Sequence, residues 1–94
     1  MSVYSLKVFV KKQDPNTSRA LNNLKRFCED HLFNKYEIEV IDIYEHPEIA
    51  SKYNVFETPT LIKESPPPVK MLISDLSDYQ ELLITILSVE PKSE

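Results

Sequence analysis

A chain of 94 residues that is 41% hydrophobic can bury one small core and no more. Its 15 acidic and 11 Lys/Arg residues are interleaved, giving a formal net charge of −4 with no basic run, so a nucleic-acid partner is not expected. One cysteine, Cys28, rules out an intrachain disulfide or multi-cysteine metal site and fits a reducing, cytoplasmic setting; Met1–Tyr4 lacks a signal-peptide pattern and no apolar run approaches ~20 residues, so neither export nor membrane insertion is expected.

Leu6, Val8 and Val10 alternate with Lys7 and Phe9, which predicts a first strand. Asp14-Pro15-Asn16-Thr17-Ser18 is a loop rich in helix caps, with Asp14 before Pro15 as one option. Ala20, Leu21, Leu24, Phe27, Cys28 and Leu32 then share one helical face, and this helix should end by Phe33, before Asn34. Ile38, Val40, Ile41 and Ile43 predict a second strand, apolar on both faces like a buried central strand. Strand, helix and strand at this spacing form a right-handed parallel unit. His46–Tyr53 reads as a short helix with Pro47 near its start and Asn54 in a left-handed stop.

Thr60–Lys63 is the third predicted strand, entered through Thr58-Pro59, where a tight turn suits a cis X-Pro bond. Pro66-Pro67-Pro68 blocks helix and separates this strand from a fourth, Val69–Ile73. Ser74–Leu76 is a turn, and Ser77 with Gln80 has capping-box spacing. Leu82, Leu83, Ile86, Leu87 and Val89 make the core face of a last helix, stopped by Pro91. Glycine is absent from the whole chain, although about 7% is typical, so turns must use Asn, Asp, Ser and Pro. Gly-rich phosphate loops are thereby excluded.

Nothing in these residues assembles an active site. Thr17 and Ser18 read as caps, and Cys28 as a small packed hydrophobe. His31 should complement the end of the first helix, and two histidines at unrelated spacing make no metal site. Asp42 reads as a strand-end carboxylate bonded to a neighbouring amide, and Tyr36, Tyr44, Tyr53 and Tyr79 as core edges. No cofactor is expected.

The order β-α-β-α-β-β-α with Pro59 entering the third strand is a thioredoxin-like layout in one α/β domain. A thioredoxin carries Cys-x-x-Cys where this chain has Asp14–Ser18. From Leu6 to Leu83 the chain resembles the KaiB family. The matching pieces are Leu6-Lys7 with Val10, Pro15-Asn16, Arg19-Ala20-Leu21, Val40-Ile41-Asp42, Thr58-Pro59-Thr60-Leu61, Pro66-Pro67-Pro68-Val69 and Asp75-Leu76-Ser77. The N-terminal domain of the kinase SasA is a thioredoxin-like relative, but the triple proline fits KaiB better.

The resemblance implies a binding protein and not an enzyme. KaiB proteins dock onto the ATPase and autokinase KaiC and alter its phosphorylation. They exist as a tetrameric ground state, whose C-terminal half departs from thioredoxin, and as a thioredoxin-like monomer that binds KaiC. On that basis residues 1–94 form one KaiB-like domain. Residues 1–48 are its common βαβ half, 49–90 can switch fold, and 91–94 are a tail; dimer or tetramer formation is open. The alternative fold is the rearranged ground state. The alternative function is a redox-inactive adaptor or sensor domain of the SasA type.

Lys7, Phe9, Arg19, Glu39 and Lys70 are the expected partner-binding residues, and Pro59, Pro66, Pro67, Pro68, Ser74 and Asp75 the expected switch positions. Four departures from the family stand out. Ser74 replaces a usual glycine before Asp75, and Lys12 replaces one in the first loop. Glu39 replaces a basic residue, and Met71 an arginine.

Overall fold

The computed structural model describes residues 3–88. The elements are β1 (Tyr4–Val10), α1 (Asn16–His31), β2 (Tyr36–Asp42), α2 (Pro47–Lys52), β3 (Thr60–Ser65), β4 (Lys70–Ile73) and α3 (Tyr79–Leu87). This is the expected β-α-β-α-β-β-α order, and not the rearranged alternative. The helical position expected for Val89, the stop at Pro91 and the 91–94 tail lie outside the described residues.

The strands form one sheet in the order β2-β1-β3-β4. β1 runs parallel to β2 and antiparallel to β3, and β4 is antiparallel to β3. Strand alternation sends Leu6, Val8, Val10 and Leu61 to one face, where Leu24, Phe27 and Cys28 of α1 and Leu82 and Ile86 of α3 cover them. Phe9, Ile41 and Ile62 point to the other face and pack under Ala50 and Val55, around α2.

β2 is an edge strand, which corrects the reading of it as central. Ile38 lies against the α1 core and Ile41 under the α2 side, so both faces are apolar, yet Val40 is 42% exposed. β3 runs two residues past Lys63, because Ser65 still pairs with Ser5 across a bulge. Tyr44 is 66% exposed and is not a core edge. The cap of α3 is Asp78, whose carboxylate accepts from the Gln80 and Glu81 amides; Ser77 is engaged with Asp75 instead. His31 ends α1 as expected, and it also stacks beside Phe27 and Tyr79 with ring centroids 4.6 and 5.5 Å away. The Tyr79 hydroxyl donates to Asp30 at 2.9 Å, joining α3 to α1.

Turns are made without glycine. Asn34 and Asn54 take left-handed backbones at φ 60° and 58°, the residue type after glycine that best tolerates them. Leu76 and Ser88 do the same at φ 63° and 56°. The Thr58–Pro59 bond is cis, as are Ser65–Pro66 and Pro67–Pro68.

Phe9 is fully buried beneath α2, with its ring centroid 5.7 Å from that of Tyr53. Phe9→Ala should cost about 3–5 kcal/mol, a large part of the ~5–10 kcal/mol typical of such a domain. Denaturant titration checks this. A loss below about 1 kcal/mol would mean that the α2 side of the sheet is not closely packed.

Candidate functional site

The loops after β1 and β2 meet at Asp42. Its Oδ1 accepts from the Tyr44 and Glu45 amides at 2.7 and 3.3 Å, and Oδ2 accepts from the Lys12 amide at 3.1 Å. The Tyr44 amide is the main cause, ahead of Lys12 and Glu45, that holds this carboxyl below its ordinary range. Beside it, Pro15 already has helical dihedrals (φ −62°, ψ −19°), and Asp14 Oδ1 accepts from the Asn16 amide at 2.8 Å. Asp14 thus caps α1, and the Thr17 hydroxyl donates to the Lys11 carbonyl at 2.6 Å. In the segment that holds the cysteine pair in a thioredoxin, Asp14 and Thr17 are committed here to cap and turn hydrogen bonds, while Ser18, expected as a cap, lies inside α1. Cys28 lies elsewhere, in the core, where burial pushes its thiol up to about 12.

A second cluster lies on the α2 face of the sheet, beyond the reach of that six-residue helix. Register places Lys7 beside Glu39 on β2 and Ile62 on β3, with Glu64 following on the same face. Lys7 Nζ lies 2.9 Å from Glu39 Oε1 and 2.6 Å from Glu64 Oε1. The Tyr53 hydroxyl donates to Glu64 Oε2 at 2.6 Å, and the Lys7 amine sits 5.9 Å from the Tyr53 ring centroid. The Glu64 hydrogen bond chiefly, with a smaller part from Glu39, holds Lys7 above the usual lysine range despite partial burial. The Lys7 and Tyr53 hydrogen bonds hold Glu64 below the usual carboxylate range.

The expected partner-binding residues do not form one patch. Lys7 and Glu39 are brought together, but they neutralise each other. Phe9 is a correction: it is core, so it offers no surface to a partner in this fold. Lys70 lies on the opposite face, with Nζ donating to the Ile84 carbonyl of α3 at 3.3 Å. Arg19 is exposed on α1 and contributes to holding Asp75 below its ordinary range, although hydrogen bonds from Ser77 are the main cause.

The switch positions are better connected. The Pro59 carbonyl accepts from the Ser74 amide at 3.2 Å, so the proline turn is tied to the end of β4. Pro66 is half-buried, and Pro67 and Pro68 are exposed between β3 and β4. Ser74 is not among the left-handed residues; the left-handed backbone falls on Leu76, whose amide donates to Ser74 Oγ at 2.8 Å. Glu64 was not singled out from sequence, and Tyr53 was read only as a core edge. Glu64 shares Ile62's face by alternation, but the third strand was ended one residue short of it.

Among the described residues, no helix is long and apolar enough to cross a membrane. No group of three or more His, Cys, Asp or Glu side chains there is placed to hold a metal ion.

The family profile described as "KaiB domain" matches residues 7–88. A "Circadian clock oscillator protein KaiB" of Prochlorococcus marinus subsp. pastoris is 43% identical over 81 residues, 86% of this chain and 76% of that protein. The protein of the same name from Rippkaea orientalis is 43% identical over 81 residues, 86% of this chain and 78% of its own length. Among solved structures, the N-terminal domain of Synechococcus elongatus SasA superposes with a TM-score of 0.78 at 21% identity, covering 99% of this chain and 91% of that one. Oxidised mitochondrial thioredoxin 3 of Saccharomyces cerevisiae gives 0.74 at 14% identity, covering 95% and 81%. These two likenesses establish the thioredoxin-like fold.

The Lys7–Glu64 pair has a defined pH window. A lowered carboxylate pKa stabilises the fold above about pH 4.3 and is lost as pH falls through the folded value. A raised lysine pKa stabilises below about pH 10.4 and is lost as pH rises through its folded value. Both contributions are therefore present between those limits. Glu64→Gln should cost about 1 kcal/mol at neutral pH, and its difference from the parent should shrink toward zero in acid. Urea melts from pH 2 to pH 8 would measure it; a difference independent of pH would refute the assignment.

Proposed function

Because the chain belongs to the KaiB family, we propose that it is a clock-type regulator that acts by binding another protein. Its partner is a KaiC-like ATPase and autokinase, whose phosphorylation it alters. The observation that carries this reading is the match over residues 7–88, which spans both the common half and the proline-marked half. The Asp14–Ser18 segment supports a binding role, since Asp14 and Thr17 there serve a cap and a turn where a redox relative has a thiol pair.

In this reading the partner contacts both sides of the sheet, the Lys7–Glu39 pair on the α2 face and Arg19 and Lys70 on the α1–α3 side. Glu39 changes its character, because an acid at that position takes up the Lys7 amine internally. With Lys7 neutralised, the face presents less positive charge than one with a base on both strands. The partner's matching surface is then less acidic, or the encounter is slower. Glu39→Lys with Met71→Arg should increase binding to a clock KaiC about ten-fold, and Arg19→Glu should reduce it. Pull-down and titration measure both; no gain from the double variant would overturn this reading of the surface.

The second half, 49–90, is the segment we propose to switch, with the thioredoxin-like form as the populated state. Ser74 supports that form by accepting from the left-handed Leu76. Ser74→Gly removes this acceptor and frees the backbone, so it should populate a second conformation. A second set of NMR resonances confined to that half is the expected result, and an unchanged single set would count against a switch at this position.

A SasA-type adaptor is the second reading, favoured by the 0.78 TM-score over nearly the whole chain. It predicts binding to a histidine-kinase core, which the same pull-down can include.

A further inference from the structure

A groove of about 350 Å³ runs between α1 and the edge strand β2, lined by Leu21 and Lys25 on one side and Tyr36, Ile38 and Val40 on the other. The two rows run in step, because four residues of helix advance about 6 Å and two residues of strand about 6.6 Å. One end is fixed where the Tyr36 hydroxyl donates to Glu29. Lys25 then stands beside Ile38, and Leu21 beside Val40, which is 42% exposed. The groove is therefore closed at its Tyr36 end, apolar at its open end, and carries a cation at its rim between the two.

That cation is left without a counter-charge. Glu29 is the one acid within a turn of Lys25 on α1, at the i+4 spacing that ordinarily pairs such residues. It is held by Tyr36 instead, and among the described residues Lys25 makes no ion pair. Glu37 and Glu39 of β2 point to the opposite face by alternation, where Glu39 meets Lys7.

We propose that this groove binds a free aliphatic carboxylate, its head group on the Lys25 amine and its tail along Leu21, Ile38 and Val40. Charge complementarity at Lys25 selects the anion. The lack of any other charged side chain on the lining selects an apolar tail. Glu29 at the closed end disfavours a second negative charge, so a monocarboxylate is preferred to a dicarboxylate.

The site does not depend on the KaiC-like partner and is tested without it, on the full chain. The probes are octanoate, butanoate, suberate and octanol, followed through the NMR shifts of the Leu21, Ile38 and Val40 methyl groups. Octanoate should saturate with a Kd below about 1 mM. Butanoate should bind about ten-fold more weakly, because its tail buries less apolar area. Suberate should also bind more weakly than octanoate. Lys25→Met keeps an apolar stem and removes the charge, so it should lower the preference for octanoate over octanol about ten-fold while octanol binding is unchanged. A neutral capped apolar peptide, able to lie along β2 as an added strand, should bind more weakly than octanoate. No saturable shift up to about 5 mM octanoate, an unchanged preference in Lys25→Met, suberate binding as tightly as octanoate, or tighter binding of the peptide would each overturn the proposal.

Discussion

The arrangement depends on the burial of β1. Val8, Phe9 and Val10 are inaccessible to solvent on successive, opposite faces, and the strand is paired on both sides. One strand therefore anchors α1 and α3 above and α2 below. The asymmetry between those layers makes the site. α1 has sixteen residues and α2 has six, so the α2 face is covered only toward the carboxyl end of β1. Phe9 falls under the cover. Lys7, two residues earlier on the same face, falls outside it and must find charged partners, which Glu39 and Glu64 supply.

Much of this was legible in the sequence. The strands and helices follow from alternation and helical spacing, the Pro59 turn from its flanking threonines, and Asn54 from the need for a left-handed stop without glycine. The inert role of Cys28 followed from its place on the apolar face of α1. What was not legible is long-range. β2 has apolar residues on both faces because two different helical layers touch it at different heights, and composition alone cannot distinguish that from a central strand. Phe9 was expected at a partner surface together with Lys7, but the boundary of α2's coverage lies between them. Lys7, Glu39 and Glu64 sit on three different strands, so only register brings them together.

The lack of glycine displaces a conformational burden. Ser74 stands where the family resemblance expects glycine, but the left-handed backbone falls two residues later on Leu76, which is also buried in the core. A leucine in that conformation is disfavoured, and it persists where surrounding contacts hold it. Those contacts are the Ser74 hydroxyl on its amide and the α1–α3 core around its side chain. Strain and the restraint that maintains it thus lie within three residues of the Pro59 tie to β4. If the second half does refold, this is where the two packings must differ, because Leu76 cannot leave the core without releasing Ser74, and Ser74 cannot move without freeing Pro59.

Electrostatics and edge geometry bear on the recognition role proposed for this thioredoxin-like scaffold without a thiol pair. This sheet has two open edges and one short covering helix among the described residues, surfaces whose availability does not depend on thiols. Specificity then rests on which charges are internally satisfied. Here Lys7 is spent on Glu39 and Glu64, Arg19 stays exposed, and Met71 stands where the family resemblance expects an arginine. The Lys7 pairing and the uncharged Met71 lower the positive field on this face, and Met71 adds apolar area at a strand edge. An exposed Met71 on β4 therefore acts in two directions, supplying no charge to guide an encounter and offering apolar area to a contact that needs none.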